Sequence, residues 1–476
     1  MFHFHIRKTK SSAEMHAHPQ RVYLLVLLLD LLALAANQLA VRSSSFADAY
    51  SHYVYRVLSL GIGSVTGLLP FSVVELLLYA MTLFVLFDFV KQLRRALRVG
   101  AACVHSERVS QDAQTHLLAA VARPLLRFLG HLFLILSTLL VLYVFLCGIN
   151  YHRTSFSEEA GLSVTLDEHG TVYDEADLIA LCDYLVTEIN DTEAQLAAAA
   201  TSDANADATR AHTSTDAGAA GSTTESSTAT AEASSTSGAD ETAATTIQVE
   251  GACIGQTMEM PKPSAAWLWH AGRTGQRAME KLGQRYRRLS GHYPFPKPIL
   301  NTWILSVQQT TGVYSPFTVE ANYNRDIAYY DIPFTICHEL SHLRGYMQEE
   351  EANFIGLLAT IGADDLYFNY SGYVSAWVYA GNALARIDST AFATLYARIN
   401  ARPRQDMLYN NAYWKQFEGK PAEAHEQLND AYLKMQGQAS GVRSYGHVTD
   451  LMLEYFAKNG TLTQCNSSAV ARQTAD

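Results

Sequence analysis

Three apolar runs, roughly Val22 to Val41, Leu68 to Val90 and Phe128 to Ile149, stand in the first third of this 476-residue chain. Each has the ~20 residues an α-helix needs to cross a hydrocarbon core. Inside a bilayer the backbone must satisfy its own hydrogen bonds, so each run is predicted to be a transmembrane helix. The first begins late, carries Asp30 and lacks a small-residue cleavage pattern, so it reads as a retained anchor and not a signal peptide. Asp30, Glu75, Asp88 and His131 fall within or at the ends of the runs. Pairing inside the bundle is the expectation for them, since three spans are few for an ion pathway.

Basic residues flank the runs unevenly. Arg7, Lys8, Lys10 and Arg21 precede the first, and seven more, from Lys91 to Arg127, fill the stretch between the second and third. The other flanks hold only Arg42, Arg56 and Arg153. The positive-inside rule then puts residues 1–21 in the cytoplasm as a basic tail, and residues 91–127 as a cytoplasmic loop between the helices of 22–150. Everything after residue 150 is expected outside the cell membrane. His3, His5, His16 and His18 belong to the tail and have nothing to organise them around a metal.

Outside the membrane the chain divides by composition. Residues 151–190 open an outer domain, and 191–246 are nearly all Ala, Ser, Thr, Gly and acids, a composition with little to bury and hence predicted to be disordered. Asp191 to Glu241 holds nine acids and one arginine, most of the chain's net charge of −11, so the acidic balance says little about a substrate. Residues 247–460 form the main outer domain, and 461–476 a disordered tail. The six cysteines show no C-x-x-C spacing, which argues against a structural zinc cluster; Cys182 and Cys253 flank the insert and could close it as a disulfide. Neither a nucleotide-binding glycine motif nor a basic face for nucleic acid occurs outside the short cytoplasmic segments.

The chemistry concentrates in His338-Glu339-Leu340-Ser341-His342. Residues four apart share a helix face, so two imidazoles can meet one Zn²⁺ ion, and Glu339 beside the first is placed as a general base for hydrolysis. Pro333 suits the first turn of that helix and Gly345 its end, with both histidines in mid-helix. Cys337 points about 100° away and reads as a buried small residue. A second helix is predicted from Gln348 or Glu349, where three acids complement its dipole. In the Glu-zincin peptidases, which this pattern resembles, the third ligand is a glutamate on a later helix with an aspartate four residues on. Glu349-x-x-x-Asn353 matches that with Asn for Asp; Glu350 is the rival ligand, and Glu351 completes the set.

Gly67-Leu68-Leu69-Pro70-Phe71-Ser72, Gly148-Ile149-Asn150-Tyr151, Pro296-Lys297-Pro298, Pro316-Phe317-Thr318, the run Pro333 to Asn353 and Gly441-Val442-Arg443-Ser444-Tyr445-Gly446 resemble a family of bacterial three-span membrane proteins, a domain of unknown function with an outer His-Glu-x-x-His region. The resemblance covers nearly the whole chain outside the insert and implies a membrane-anchored zinc peptidase acting on extracytoplasmic peptides or proteins. A catalytically silent receptor or scaffold, and a cell-envelope amide or ester hydrolase, are the alternatives. Phe317 to Asn324 is read as an edge strand for extended substrate, and Tyr445 as a neutral donor to the developing oxyanion. Helical spacing from Leu366 to Leu453, interrupted near Arg402-Pro403, completes the expected architecture: three transmembrane helices followed by a mainly α, α+β zincin-like domain with a small sheet.

Overall fold

The computed structural model describes residues 12–104, 111–162, 173–214, 263–435 and 447–463. Three of its helices are long and apolar enough to cross a membrane: α1 (Ser12–Arg42), α4 (Val73–Val104) and α5 (Gln111–Leu146), with the apolar stretches at Tyr23–Arg42, Val73–Val99 and Val121–His152. α5 packs against both others. Three boundaries differ from expectation. α1 already begins at Ser12, within the segment read as a tail. The second span starts at Val73 and not at Leu68, because Pro70 would break a helix interior; Ser72 instead accepts from the Glu75 N–H at 3.3 Å and opens α4. The stretch read as a cytoplasmic loop is largely helical, since α4 continues to Val104 and α5 starts at Gln111.

Between the first two spans lie α2 (Ser44–Tyr50), a π-helical turn over Ser51–Tyr55 and α3 (Arg56–Thr66). After the third come a 3₁₀ turn (Gly148–His152), α6 (Phe156–Glu159) and α7 (Glu175–Ser214). α7 runs on to Ser214, into the stretch expected to be disordered; alanine, the best helix former, is abundant there. The chain divides into two compact units, residues 1–193 with 262–476, and residues 194–261. Cys182 is a buried free thiol on α7; Cys253 lies outside the described residues, as does the rest of the insert from residue 215.

The remaining described elements build the domain that carries the histidines. They are α8 (Ala265–Arg285), a 3₁₀ turn (Arg287–Leu289), β1 (Lys297–Pro298), α9 (Trp303–Ser306), β2 (Gly312–Ser315), β3 (Glu320–Tyr323), α10 (Asp331–His342), α11 (Glu349–Ile361), α12 (Leu366–Ile387), α13 (Ser389–Arg398), α14 (Ala401–Lys415), α15 (Lys420–Met435) and α16 (His447–Asn459). α10 is central, packed between α8, α11, α12 and β3. Asp365 starts α12 by accepting from the N–H groups of Tyr367 (3.0 Å) and Phe368 (3.1 Å), and Asp388 does the same for α13.

The sheet corrects one expectation. Strand order is β1-β3-β2, with Lys297 opposite Asn322 in the parallel pair and Gly312 opposite Tyr323 in the antiparallel pair. The segment Phe317 to Asn324 therefore supplies the middle strand, paired on both sides and buried, and not an edge. The edge beside α10 is β2.

Candidate metal centre

α10 places His338 and His342 one turn apart, with their Nε2 atoms 3.2 Å from each other and their rings perpendicular. His342 is the last residue of α10 and not mid-helix, and the chain reverses at once. Gly345 takes φ +82°, a left-handed conformation that a side chain would strain, and this makes the six-residue gap to Glu349 sufficient. The reversal also returns the Tyr346 carbonyl to His342 Nδ1 at 2.7 Å. That bond fixes the tautomer and leaves the Nε2 lone pair free for a metal.

α11 starts at Glu349, so this carboxylate lies at the helix mouth facing both rings: 3.3 Å from His338 Nε2 and 4.0 Å from His342 Nε2. A tetrahedral zinc with bonds of about 2.0–2.1 Å holds its donors ~3.3 Å apart, so the spacing of this donor set fits the ion. Glu339 also comes within 4.0 Å of His338 Nε2 and shares the compact His338, Glu339, His342 cluster. Glu349 approaches His338 more closely than Glu339 does and lies within 4.0 Å of both histidines, whereas the compact cluster of possible donors takes in Glu339. Glu351 is committed elsewhere, accepting from Ser157 N–H (3.0 Å) and Oγ (2.7 Å).

Burial and mutual charge set the protonation states. Burial, reinforced by His338, lowers the His342 pKa to about 4 even beside Glu349, so the ring is neutral as a ligand must be. His338 also resists burial, but Glu349 and Glu339 beside it raise its pKa. Burial acts on Glu349 too, yet the two histidines hold it below the ordinary carboxylate value. Glu339 is pushed up to about 8, chiefly by burial. Asn353, one turn after Glu349, favours the charged His338, although His338 Nδ1 and Asn353 Nδ2 are both buried without a hydrogen-bond partner among the described residues.

These groups open on a cavity of about 1170 Å³. One wall is β2, another α15, and a third the end of α5 with the 3₁₀ turn after it, through Tyr143, Cys147 and Tyr151. Gly312 of β2 rests on the general-base candidate: a Cβ there would lie 2.5 Å from Glu339 Oε1 and 2.8 Å from Thr335 Cγ2. Gly312→Val should therefore push Glu339 and Thr335 away from β2 and cost about 1–3 kcal/mol of stability, as thermal unfolding of the two proteins in one detergent would check. Tyr432 of α15 joins the hydroxyls of Tyr143 and Tyr151, each at 3.0 Å. Nothing in local spacing pointed to Gly312 or Tyr432, because both reach the cavity from elements distant in sequence. Tyr445 lies outside the described residues.

Fold and site together define a class: a protein with three helices of bilayer length and a mostly helical domain in which two histidines and two glutamates converge on one cavity. Residues 50–453 match the family model described as a protein of unknown function, DUF3810, and the chain belongs to that family. No curated protein and no solved structure matches it.

Proposed function

We propose that this protein is a membrane-anchored, zinc-dependent hydrolase whose domain faces the cell exterior and cleaves peptide bonds in extracytoplasmic peptides or proteins. The observation that carries the reading is the convergence of His338, His342 and Glu349, at metal-donor spacing, beside the buried carboxylate of Glu339. His338, His342 and Glu349 would hold the ion. When bound, zinc polarises a carbonyl and brings a water's pKa near 7. Glu339, buried beside the two histidines, would receive the proton at its carboxylate. Tyr346 keeps His342 oriented, and Gly312 lets the β2 backbone approach the reacting position without a side chain between.

Glu339→Gln is expected to keep its zinc and lose about 10²–10⁴-fold in turnover of a mixed peptide library, followed by mass spectrometry. A zinc-loaded wild type as inert as this variant would instead favour a binding protein. The outward orientation rests on the basic flanks and on one packing fact. The segment between spans one and two shares contacts with the domain after span three: Tyr55 Oη donates to the His342 carbonyl (3.2 Å), and Asp48 accepts from Thr154 N–H (3.1 Å). These contacts support placing both segments on one side of the bilayer. A cysteine introduced near Gln111 should resist a membrane-impermeant thiol reagent in intact cells while one at Gly419 reacts; the opposite pattern would reverse the topology.

A further inference from the structure

A second pocket, of about 20 Å³, lies where the segment between the first two spans meets the chain after the third. It exceeds the ~10–15 Å³ that one water needs. Arg56, Arg153, Arg288 and Arg344 line it, and Asp48 is the one carboxylate among its lining residues. Asp48 is occupied by Thr154 and by Arg288 at 2.9 Å; Glu159 takes Arg153 at 3.0 Å and Arg288 at 2.5 Å.

Two arginines are left without a carboxylate among the described residues. Arg56 Nη2 donates to the Ser290 carbonyl (3.1 Å) and hydroxyl (3.3 Å). Arg344 Nη2 donates to the His292 carbonyl (2.6 Å), with its guanidinium 4.0 Å from the Tyr293 ring centre. The two amino groups converge, since a single point at the Cβ position of Gly291 lies 3.2 Å from Arg344 Nη2 and 3.4 Å from Arg56 Nη2. Arg344 and Arg153 are more than nine-tenths buried, and the Nε of each finds no acceptor. Like charges gathered in a part-buried pocket with unfilled donors repel one another, and a bound oxyanion, matched to the guanidinium fork, relieves both penalties.

The surroundings indicate the level at which such an anion would arrive. The π turn and α3 expose Tyr53, Val57 and Leu58 while turning Tyr55, Arg56 and Ser59 to the pocket. An amphipathic segment joining two spans rests at the headgroup layer. We propose that this pocket binds one phosphate-type oxyanion, held by Arg56 and Arg344 and backed by Arg153 and Arg288, the phosphate of a lipid headgroup and free phosphate sharing that chemistry. Arg344 follows His342 by two residues, and Tyr55 on the pocket wall holds the His342 carbonyl, so an occupant stiffens the end of α10. The site does not depend on whether the metal centre is hydrolytic.

The test uses the full-length protein in an uncharged detergent. Native mass spectrometry counts phospholipid retained after delipidation, and thermal unfolding follows added sodium phosphate against chloride at equal ionic strength, then monomeric short-chain phosphatidylglycerol. Wild type should retain one phospholipid, or gain about 2–4 °C at phosphate well above its Kd. Arg56→Gln should lose both responses. Retained lipid, or a larger rise with phosphatidylglycerol, identifies a headgroup; an equal rise with inorganic phosphate and no retained lipid identifies the free ion. His52→Glu, at an exposed lining residue, supplies a carboxylate from within and should raise Tm in phosphate-free buffer while abolishing the response, which keeps the test sound should Arg56→Gln fail to fold. A wild type with neither retained phospholipid nor a phosphate-specific rise, or variants that respond like wild type, would overturn the proposal.

Discussion

Lys297→Met should cost about 3–5 kcal/mol of stability, among the largest losses any single substitution in this protein would produce. Lys297 and Glu320 are a buried ion pair on adjacent strands β1 and β3, exposed by only 1% and 2%. The pair is tied to the second span. Lys297 Nζ also donates to the Thr66 carbonyl at 2.6 Å, and the Glu320 carboxylate accepts from the N–H groups of Val73 (3.1 Å) and Val74 (2.9 Å), the first residues of α4. Removing the ammonium leaves a buried carboxylate whose remaining partners are neutral amides. Glu320→Gln in the same background should recover part of the loss, because the amide oxygen can still accept one backbone bond and carries no charge. Denaturant or thermal unfolding of the two single variants and the double in one detergent gives the coupling. A single-variant cost below about 1 kcal/mol would show that the pair is solvated in a way its burial denies.

On the proposed zinc-site reading, wild type should hold about one metal ion per chain, and His342→Ala and Glu349→Ala should each lower this below about a tenth on dialysis. The fold should survive. The core around α10 is made by Ile332, Ile336, Leu340, Phe354, Ile355 and Leu358, all buried and none a metal ligand, so loss of the ion leaves that packing in place. Plasma mass spectrometry beside circular dichroism separates the two effects: metal lost with helix content unchanged is the expected result, and near-stoichiometric zinc in Glu349→Ala would move the third ligand to Glu350 or Glu339.

Much of this arrangement was legible in the chain because it is local. A transmembrane helix is recognised by a run of apolar residues, and Tyr23–Arg42, Val73–Val99 and Val121–His152 carry that signal in themselves. Two histidines four apart meet on a helix because 3.6 residues make a turn, whatever surrounds them. The helix from Glu349 declares itself by three acids followed by an apolar face. At the start of the insert the lack of buriable side chains and the abundance of alanine point different ways, and α7 continues through it to Ser214, since alanine needs no tertiary partner to favour a helix.

The sequence by itself determined the three apolar helices of bilayer length, the helix of His338 and His342 and the pairing of those histidines, since each follows from the pattern within about twenty residues. Tertiary structure alone decided the rest. Consecutive glutamates differ by 100° around a helix, so which of the three faces the histidines depends on how α11 docks on α10, and that places Glu349 at the rings and Glu351 at Ser157. Sheet order is equally non-local: Glu320 to Tyr323 became the middle strand because partners from both sides paired with it, leaving β2 to border the cavity. The arginine pocket gathers residues from 48 to 344. Contacts across such separations arise from packing, whose energy is not written in any one segment of the chain.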